Sequence, residues 1–181
     1  MTEHLNAAID AARAGAEWAW TLIYDELAPS VLGYLRAQGA AEAEDLTGEV
    51  FLHVVRDLHR FDGDQAAFKA WVLTIAHHRF IDDRRRVRRR PVELVAAPPS
   101  ERGDAAPDAA AEALALAGDG RVHELLATLS PYQRAVLLLR IVGDLTVAEI
   151  GRVVGKRPGA VKALQRRGLT ALQRMLEEEA R

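Results

Sequence analysis

Four prolines, at 91, 98, 99 and 107, fall inside one alanine-rich stretch that shows little apolar periodicity. A proline lacks the backbone N–H that a helix or a sheet ladder needs, and its ring clashes with the preceding turn. Residues 91–120 therefore cannot continue the helical patterning that lies on either side of them. They also hold Glu93, Glu101, Asp104, Asp108, Glu112 and Asp119 against Arg102 alone, a local charge of −5. The segment reads as an acidic linker, with room for a turn or two of helix over 109–117. Alanine, leucine and arginine dominate the flanking sequence, and all three favour helices. The expected fold is all-α: two small helical domains joined by a flexible linker.

In the first half, residues 5–36 show Trp18, Leu22, Leu27, Val31 and Leu35 at roughly helical spacing. Pro29 is expected to kink or divide that run. Residues 42–60 predict a clean amphipathic helix, with Leu46, Val50, Val54 and Leu58 forming a ridge at i,i+4. Asp45 and Glu49 fall on another face. Residues 41–64 hold seven acids against Arg56 and Arg60, a surface suited to a basic protein partner. The turn formers of Phe61-Asp62-Gly63-Asp64 end the pattern. A long helix is predicted from about Gln65 to Arg90. Its ridge is Phe68, Val72, Ala76 and Phe80. A neighbouring sector carries Trp71, Thr74, His78, Asp82 and Arg85, and Pro91 ends it.

The second half begins near Arg121. Ser130-Pro131-Tyr132-Gln133 has a serine cap, proline at the first helical position and glutamine three residues after the cap, the signature of a capping box. Thr146-Val147-Ala148-Glu149 repeats the pattern. Gly155 stops that helix and Pro158 opens the last one, which runs to about Glu178. Helix, short turn, helix is the helix-turn-helix arrangement, with Pro158–Arg174 as the recognition helix. That stretch, from Lys156 to Arg174, has six cations and no acid.

The chain of 181 residues has a formal net charge of −2, so any grip on nucleic acid must come from local patches. Besides the C-terminal patch, Arg79–Arg90 sets seven arginines against Asp82 and Asp83. Two readings stand for that cluster: cations that stabilise a helix C-terminus, and cations that track phosphates beside Trp71, on which an unstacked base could lie. The absence of cysteine rules out disulfides and thiolate metal sites. His53, His59, His77 and His78, with Asp82 and Asp83, supply no third ligand at a metal-site spacing. No nucleophile–base pair or phosphate-cradling glycine loop stands out, so no catalytic residue, metal or cofactor is expected. Nothing resembling a signal peptide opens the chain, and no run of about 18 apolar residues could span a bilayer. A cytoplasmic protein without membrane insertion is the expectation.

The chain resembles the bacterial RNA polymerase sigma factors, specifically the extracytoplasmic-function (ECF) group of the sigma-70 family. The resemblance rests on ordered segments: Ala43 to Leu52, Phe68 to Ala76, Ile81-Asp82 with the arginine run, Leu129 to Arg134, Thr146 to Ile150, and Gly159 to Lys162. It implies a region 2 domain over 1–92 that docks on core polymerase, recognises the −10 element and assists melting. It implies a region 3.2-like linker over 93–120, threaded toward the polymerase active centre, and a region 4 domain over 121–181 that reads the −35 element. Asp45, Leu46, Glu49, Phe51 and Val55 then fall where the family contacts core polymerase. Phe61, Asp62, Gly63, Asp64, Phe68, Trp71, Thr74, His78, Arg79 and Arg85 fall at the −10 positions. Arg157, Gly159, Ala160, Lys162, Ala163, Arg166 and Arg167 fall at the −35 positions. Family members commonly have Gln at Gly48, Asn at His78, Thr at Ala160 and Arg at Leu164, so one hydroxyl is lost and Leu164 is expected to pack inward. The implied partners are the beta-prime clamp and beta flap of core RNA polymerase, promoter DNA that is double-stranded at −35 and single-stranded at −10, and an anti-sigma factor. Regulation is expected to come from outside the chain.

Two rival readings use the same residues. One is a helix-turn-helix regulator whose residues 1–90 sense a ligand. The other is a metal-dependent phosphohydrolase built on the histidine and aspartate cluster.

Overall fold

The computed structural model describes residues 2–89 and 120–179. The acidic linker, its 109–117 turns and the helix stop at Pro91 lie outside the described residues. Those described form eight α-helices and no strand. The first four are α1 (Thr2–Arg13), α2 (Glu17–Gln38), α3 (Ala43–Asp57) and α4 (Gln65–Arg89), with one 3-10 turn at Leu58–Arg60 after α3. The others are α5 (Gly120–Ala127), α6 (Pro131–Ile141), α7 (Val147–Val154) and α8 (Pro158–Glu179).

The predicted ridges of α3 and α4 are buried. Leu46, Val50, Val54 and Leu58 face Phe68, Val72, Ala76 and Phe80, and none of the eight exceeds 3% exposure. Helix α3 packs along α4, and both pack on α2. The first helical run differs from expectation. It breaks at Gly15, not at Pro29. Gly15 adopts φ +88°, its N–H bonds to the Ala12 carbonyl, and the Ala16 N–H reaches back to Ala11. That pair of bonds closes α1 in a Schellman turn, which a residue with a side chain adopts at a cost. Pro29 lies inside α2. The helix continues through it because Leu27, Ala28, Val31, Tyr34 and Leu35 are buried on both sides. Their burial offsets the roughly 3 kcal/mol that an interior proline costs. Trp18 is also corrected: it is exposed on the first turn of α2, while Ala19 and Ile23 turn inward.

Both expected capping boxes form. Ser130 Oγ accepts from the Gln133 N–H while Gln133 Oε1 accepts from the Ser130 N–H. Thr146 and Glu149 do the same at α7. Gly155 closes α7 in the left-handed conformation.

The two helical groups are not apart. One hydrophobic core runs from α1 through α4 into α6, α7 and the start of α8. Helix α4 packs on α7, and α2 packs on α5 and α6. Leu73 of α4 lies against Gly143 in the loop after α6. A polar seam accompanies this contact. Arg134 of α6 donates from Nη1 to the Gln38 carbonyl at 3.1 Å and from Nε to the Leu126 carbonyl at 2.8 Å. Gln38 Nε2 donates to Tyr34 Oη at 3.0 Å, and Tyr34 Oη lies 2.7 Å from His77 Nδ1. With Gln38 as donor, the phenol proton points at His77, which must be neutral to accept it.

Burial, reinforced by the neighbouring His78, lowers the His77 pKa from 6.5 to about 4. Burial also raises that of Tyr34. Below pH 6.5 the unfolded chain takes up a proton at His77 that the folded chain refuses, so folding stability falls as pH drops from about 6.5 to 4. That shift corresponds to about 3 kcal/mol. Urea unfolding at several pH values should show His77→Gln losing this part of the acid sensitivity. Parallel pH profiles for the variant and the natural chain would contradict the assignment.

Candidate nucleic-acid interface

Helix α4 turns two different faces outward and inward. With its apolar ridge buried, rotation of 100° per residue leaves Trp71 and Thr74 half-buried and His78, Asp82 and Arg85 exposed. Phe61, at the end of the 3-10 turn, stacks on Trp71 with centroids 5.1 Å apart and planes at 27°. Phe68 meets both rings, at 5.2 and 5.7 Å. Phe68 itself is fully buried, so it supports this aromatic wall and offers no surface to a ligand. Thr74 Oγ1 donates to the Ala70 carbonyl at 2.7 Å, which leaves the hydroxyl only as an acceptor. Asp62, Gly63 and Asp64 form the exposed lip of the loop. Asp64 caps α4 through a 2.9 Å bond from the Ala67 N–H. Further along, Asp82 pairs with Arg85 and Asp83 with Arg86, and Arg84 lies over the Phe80 ring. Arg79 is half-buried.

The acidic face of α3 has a composition that the sequence concealed. Asp45 is exposed and Glu49 half-buried. Beyond them stand Leu52, 72% exposed, and Val55, 51% exposed. Leu46 and Phe51 are buried, with Phe51 packed on Tyr24 at 4.7 Å, so these two build the helix's inner side and cannot touch a partner directly. Leu52 was missed because its i±4 neighbours, Gly48 and Arg56, extend no apolar ridge. Exposed apolar knobs next to Glu49 suit a protein surface better than a polyanion.

At the other end, Gly155–Arg157 joins α7 to α8. Gly159, Ala160, Lys162, Arg166 and Arg167 are exposed on one sector of α8, with Arg157 beside its N-terminus and Ala163 half-buried between them. Val161 is fully buried and Leu164 packs on the core, as its inward placement required. Arg167 Nε bonds to the Ala163 carbonyl, and Lys156 sits 4.5 Å from the exposed Tyr132 ring centroid. Among the described residues, Arg157, Lys162 and Arg166 form no ion pair, so three charges stand ready for an anionic ligand. His77, by contrast, is committed to Tyr34, which removes it from the histidine cluster that a phosphohydrolase would need.

An all-α chain with an aromatic and cationic helix face, an acidic helix with apolar knobs and a basic helix-turn-helix defines a class of helical DNA-binding protein. The comparisons with known proteins agree. The family models "Sigma-70 region 2" and "Sigma-70, region 4" match residues 23–90 and 119–172. The ECF RNA polymerase sigma factor SigD of Mycobacterium tuberculosis is 35% identical over 187 residues, which cover 97% of this chain and 84% of SigD. The ECF RNA polymerase sigma factor BldN of Streptomyces coelicolor is 35% identical over 179 residues, and there the chain spans 66% of the relative's length. The solved structure of CnrH in complex with the cytosolic domain of CnrY shares the fold, with a TM-score of 0.68, 22% identity, and coverage of 97% of this chain and 98% of that one. The chain belongs to the ECF sigma factors of the sigma-70 family, which are transcription initiation factors. Among the described residues no helix is long and apolar enough to cross a membrane.

Gly63 carries the sharpest local constraint of the loop. It adopts φ +151°, and a Cβ there would lie 2.9 Å from Ala67 Cβ and 3.1 Å from Phe61 Cζ. Gly63→Ala is expected to cost about 1–3 kcal/mol, read as a lower urea midpoint at unchanged slope. An unchanged midpoint would mean that the loop relaxes freely.

Proposed function

We propose that this chain binds core RNA polymerase in the cytoplasm, directs it to promoters and assists their melting, and catalyses no reaction itself. The observation that carries this reading is the distribution of surfaces on one chain. The exposed cations of α8 suit duplex DNA, the Phe61–Trp71 wall suits unstacked bases, and the acidic α3 face with Leu52 and Val55 suits a protein surface. The functional division is residues 1–92 for docking and the −10 element, 93–120 as connector and 121–181 for the −35 element. Asp45, Glu49 and Val55 contact the beta-prime clamp, and Leu46 and Phe51 hold them in place. The second domain also meets the beta flap. Lys162, Arg166 and Arg167 hold the −35 duplex; Asp62, Trp71, His78 and Arg85 meet the separated −10 strand. A protein partner of the anti-sigma kind is part of this reading, supported by sequence kinship to the family and by CnrH having been solved with a partner domain.

The docked arrangement bears on mechanism. Elements centred 25 base pairs apart lie about 85 Å apart at 3.4 Å per pair. A compact body of this size has a radius of gyration of about 15 Å. The two helical groups must therefore separate before both elements are read. Residues 90–119, at roughly 3.3 Å each, are long enough to bridge that distance.

The energetics make the activity dependent on polymerase. Each base-pair step costs about 1.4 kcal/mol to separate, so opening several steps costs on the order of 5–15 kcal/mol. Stacking a captured base returns about 1–3 kcal/mol. Permanganate reactivity of thymines at the −10 element should appear with core polymerase plus this chain and not with the chain alone. Strong reactivity with the isolated chain would refute the proposal, as would failure to direct runoff transcription from any promoter.

Two substitutions should separate the surfaces. Arg166→Ala is expected to weaken −35 duplex binding by about 1–3 kcal/mol with core affinity intact. Glu49→Lys should impair core binding and leave duplex binding intact. Normal core affinity in Glu49→Lys would overturn the docking assignment.

A further inference from the structure

The loop that holds Phe61 has a second support, and it comes from outside the segment matched to the family. Arg13 ends α1, ten residues before the region 2 match begins at residue 23. Its guanidinium donates from Nη2 to the Phe61 carbonyl at 2.5 Å and sits 5.6 Å from the Phe61 ring centroid. From the other side Asp10 accepts from Nη1 at 3.2 Å and fixes its position. Phe61 is thus held at its backbone and on its ring by a cation, and on its ring by Trp71 and Phe68. The residues that follow it form the exposed lip.

We propose that Arg13 is a positioning residue for −10 strand capture: it fixes the Phe61 carbonyl and ring so that the lip and the Trp71 face are formed before DNA arrives. The physical ground is preorganisation. A free loop loses conformational entropy when a strand binds, whereas a held loop has lost it on folding. A hydrogen bond from a charged donor is roughly twice as strong as a neutral one and so restrains the loop more firmly. The Schellman turn at Gly15 places Arg13 by ending α1 beside the loop, and α1 also touches α4 directly. The assignment rests on the reading of Phe61–Asp64 and Trp71 as the strand-capturing surface.

The test uses holoenzyme assembled from core RNA polymerase and the full chain, with Arg13→Ala, Arg13→Lys and Trp71→Ala. Three quantities are read: affinity for core, affinity for −35 duplex and open-complex half-life. Arg13→Ala should shorten the half-life about tenfold, the scale expected for a lost hydrogen bond to a charged group, and change the other two less than twofold. Arg13→Lys keeps the charge and most of the stem, so it guards against a folding defect. It should also shorten the half-life, because an ammonium cannot hold ring and carbonyl together with a planar fork. An unchanged half-life in both Arg13 variants, with a loss in Trp71→Ala, overturns the role of Arg13 and leaves the loop assignment standing. Equal losses in all three quantities make Arg13 a folding residue and also overturn the role. No loss in Trp71→Ala removes the loop assignment and this inference with it.

Discussion

The buried ridge of α4 is the constraint on which the other features depend. Phe68, Val72, Ala76 and Phe80 are each no more than 2% exposed, and they set the rotation of a 25-residue helix. Burying each phenylalanine contributes about 2–3 kcal/mol, so turning the helix to present another face would cost most of what holds it. With the ridge fixed, Trp71, Thr74, His78 and Arg85 have no freedom of placement. The functional face is therefore specified by residues that never meet a ligand. Close packing makes such a specification rigid, since interiors at crystal-like density do not deform smoothly.

The contact between the two helical groups combines apolar burial with polar bonds. Helices α2 and α4 share one hydrophobic core with α6 and α7, Leu73 lies against Gly143, and Arg134, Gln38, Tyr34 and His77 form a polar line beside it. Arg134 gives its Nη1 bond to a backbone carbonyl rather than to a carboxylate. Partial burial lowers its pKa, to which Arg84 adds repulsion. Among the described residues Arg134 has no carboxylate partner, so its own part of the contact is a weak clasp: separation returns the cation to water and relieves the repulsion. Under the proposed function, parting the two groups trades this polar line for water and exposes the apolar residues that they share.

Much of this was legible in the sequence, and what was not has physical reasons. The α3 and α4 ridges, both capping boxes and the stop at Gly155 follow from local rules, so residue type and spacing sufficed. Pro29 misled because tertiary burial around Leu27, Val31 and Tyr34 outweighs a local penalty. The break at Gly15 was missed because glycine fits many conformations and signals no single one. Among site residues, exposure was the blind spot. Phe51 shares a residue type with surface anchors, and its packing on Tyr24 shows that it is buried, whereas the i,i+4 ridges already placed Leu46 and Phe68 inside. Leu52 is apolar yet exposed, and no periodicity marks such a residue. Arg13 and Phe61 are 48 positions apart, and no pattern in one sequence links a guanidinium to a distant carbonyl.

Charge completes the argument. A net charge of −2 conceals a segregation by element: carboxylates on α3, arginines at the end of α4 and cations on α8. If the same charges were interspersed, each surface would attract and repel any one partner in near-equal measure. Segregated, they give opposite signs of steering toward DNA and toward a basic protein surface. On the proposed reading the acidic face keeps α3 off DNA phosphates and so orients the chain. The exposed Leu52 and Val55 then matter only where the long-range field has already selected protein, because apolar contact acts within a few ångströms and charge within a Debye length of about 8–10 Å. On the proposed reading this order of ranges sets the order of events: charge selects the partner, apolar area holds it, and the aromatic wall acts last.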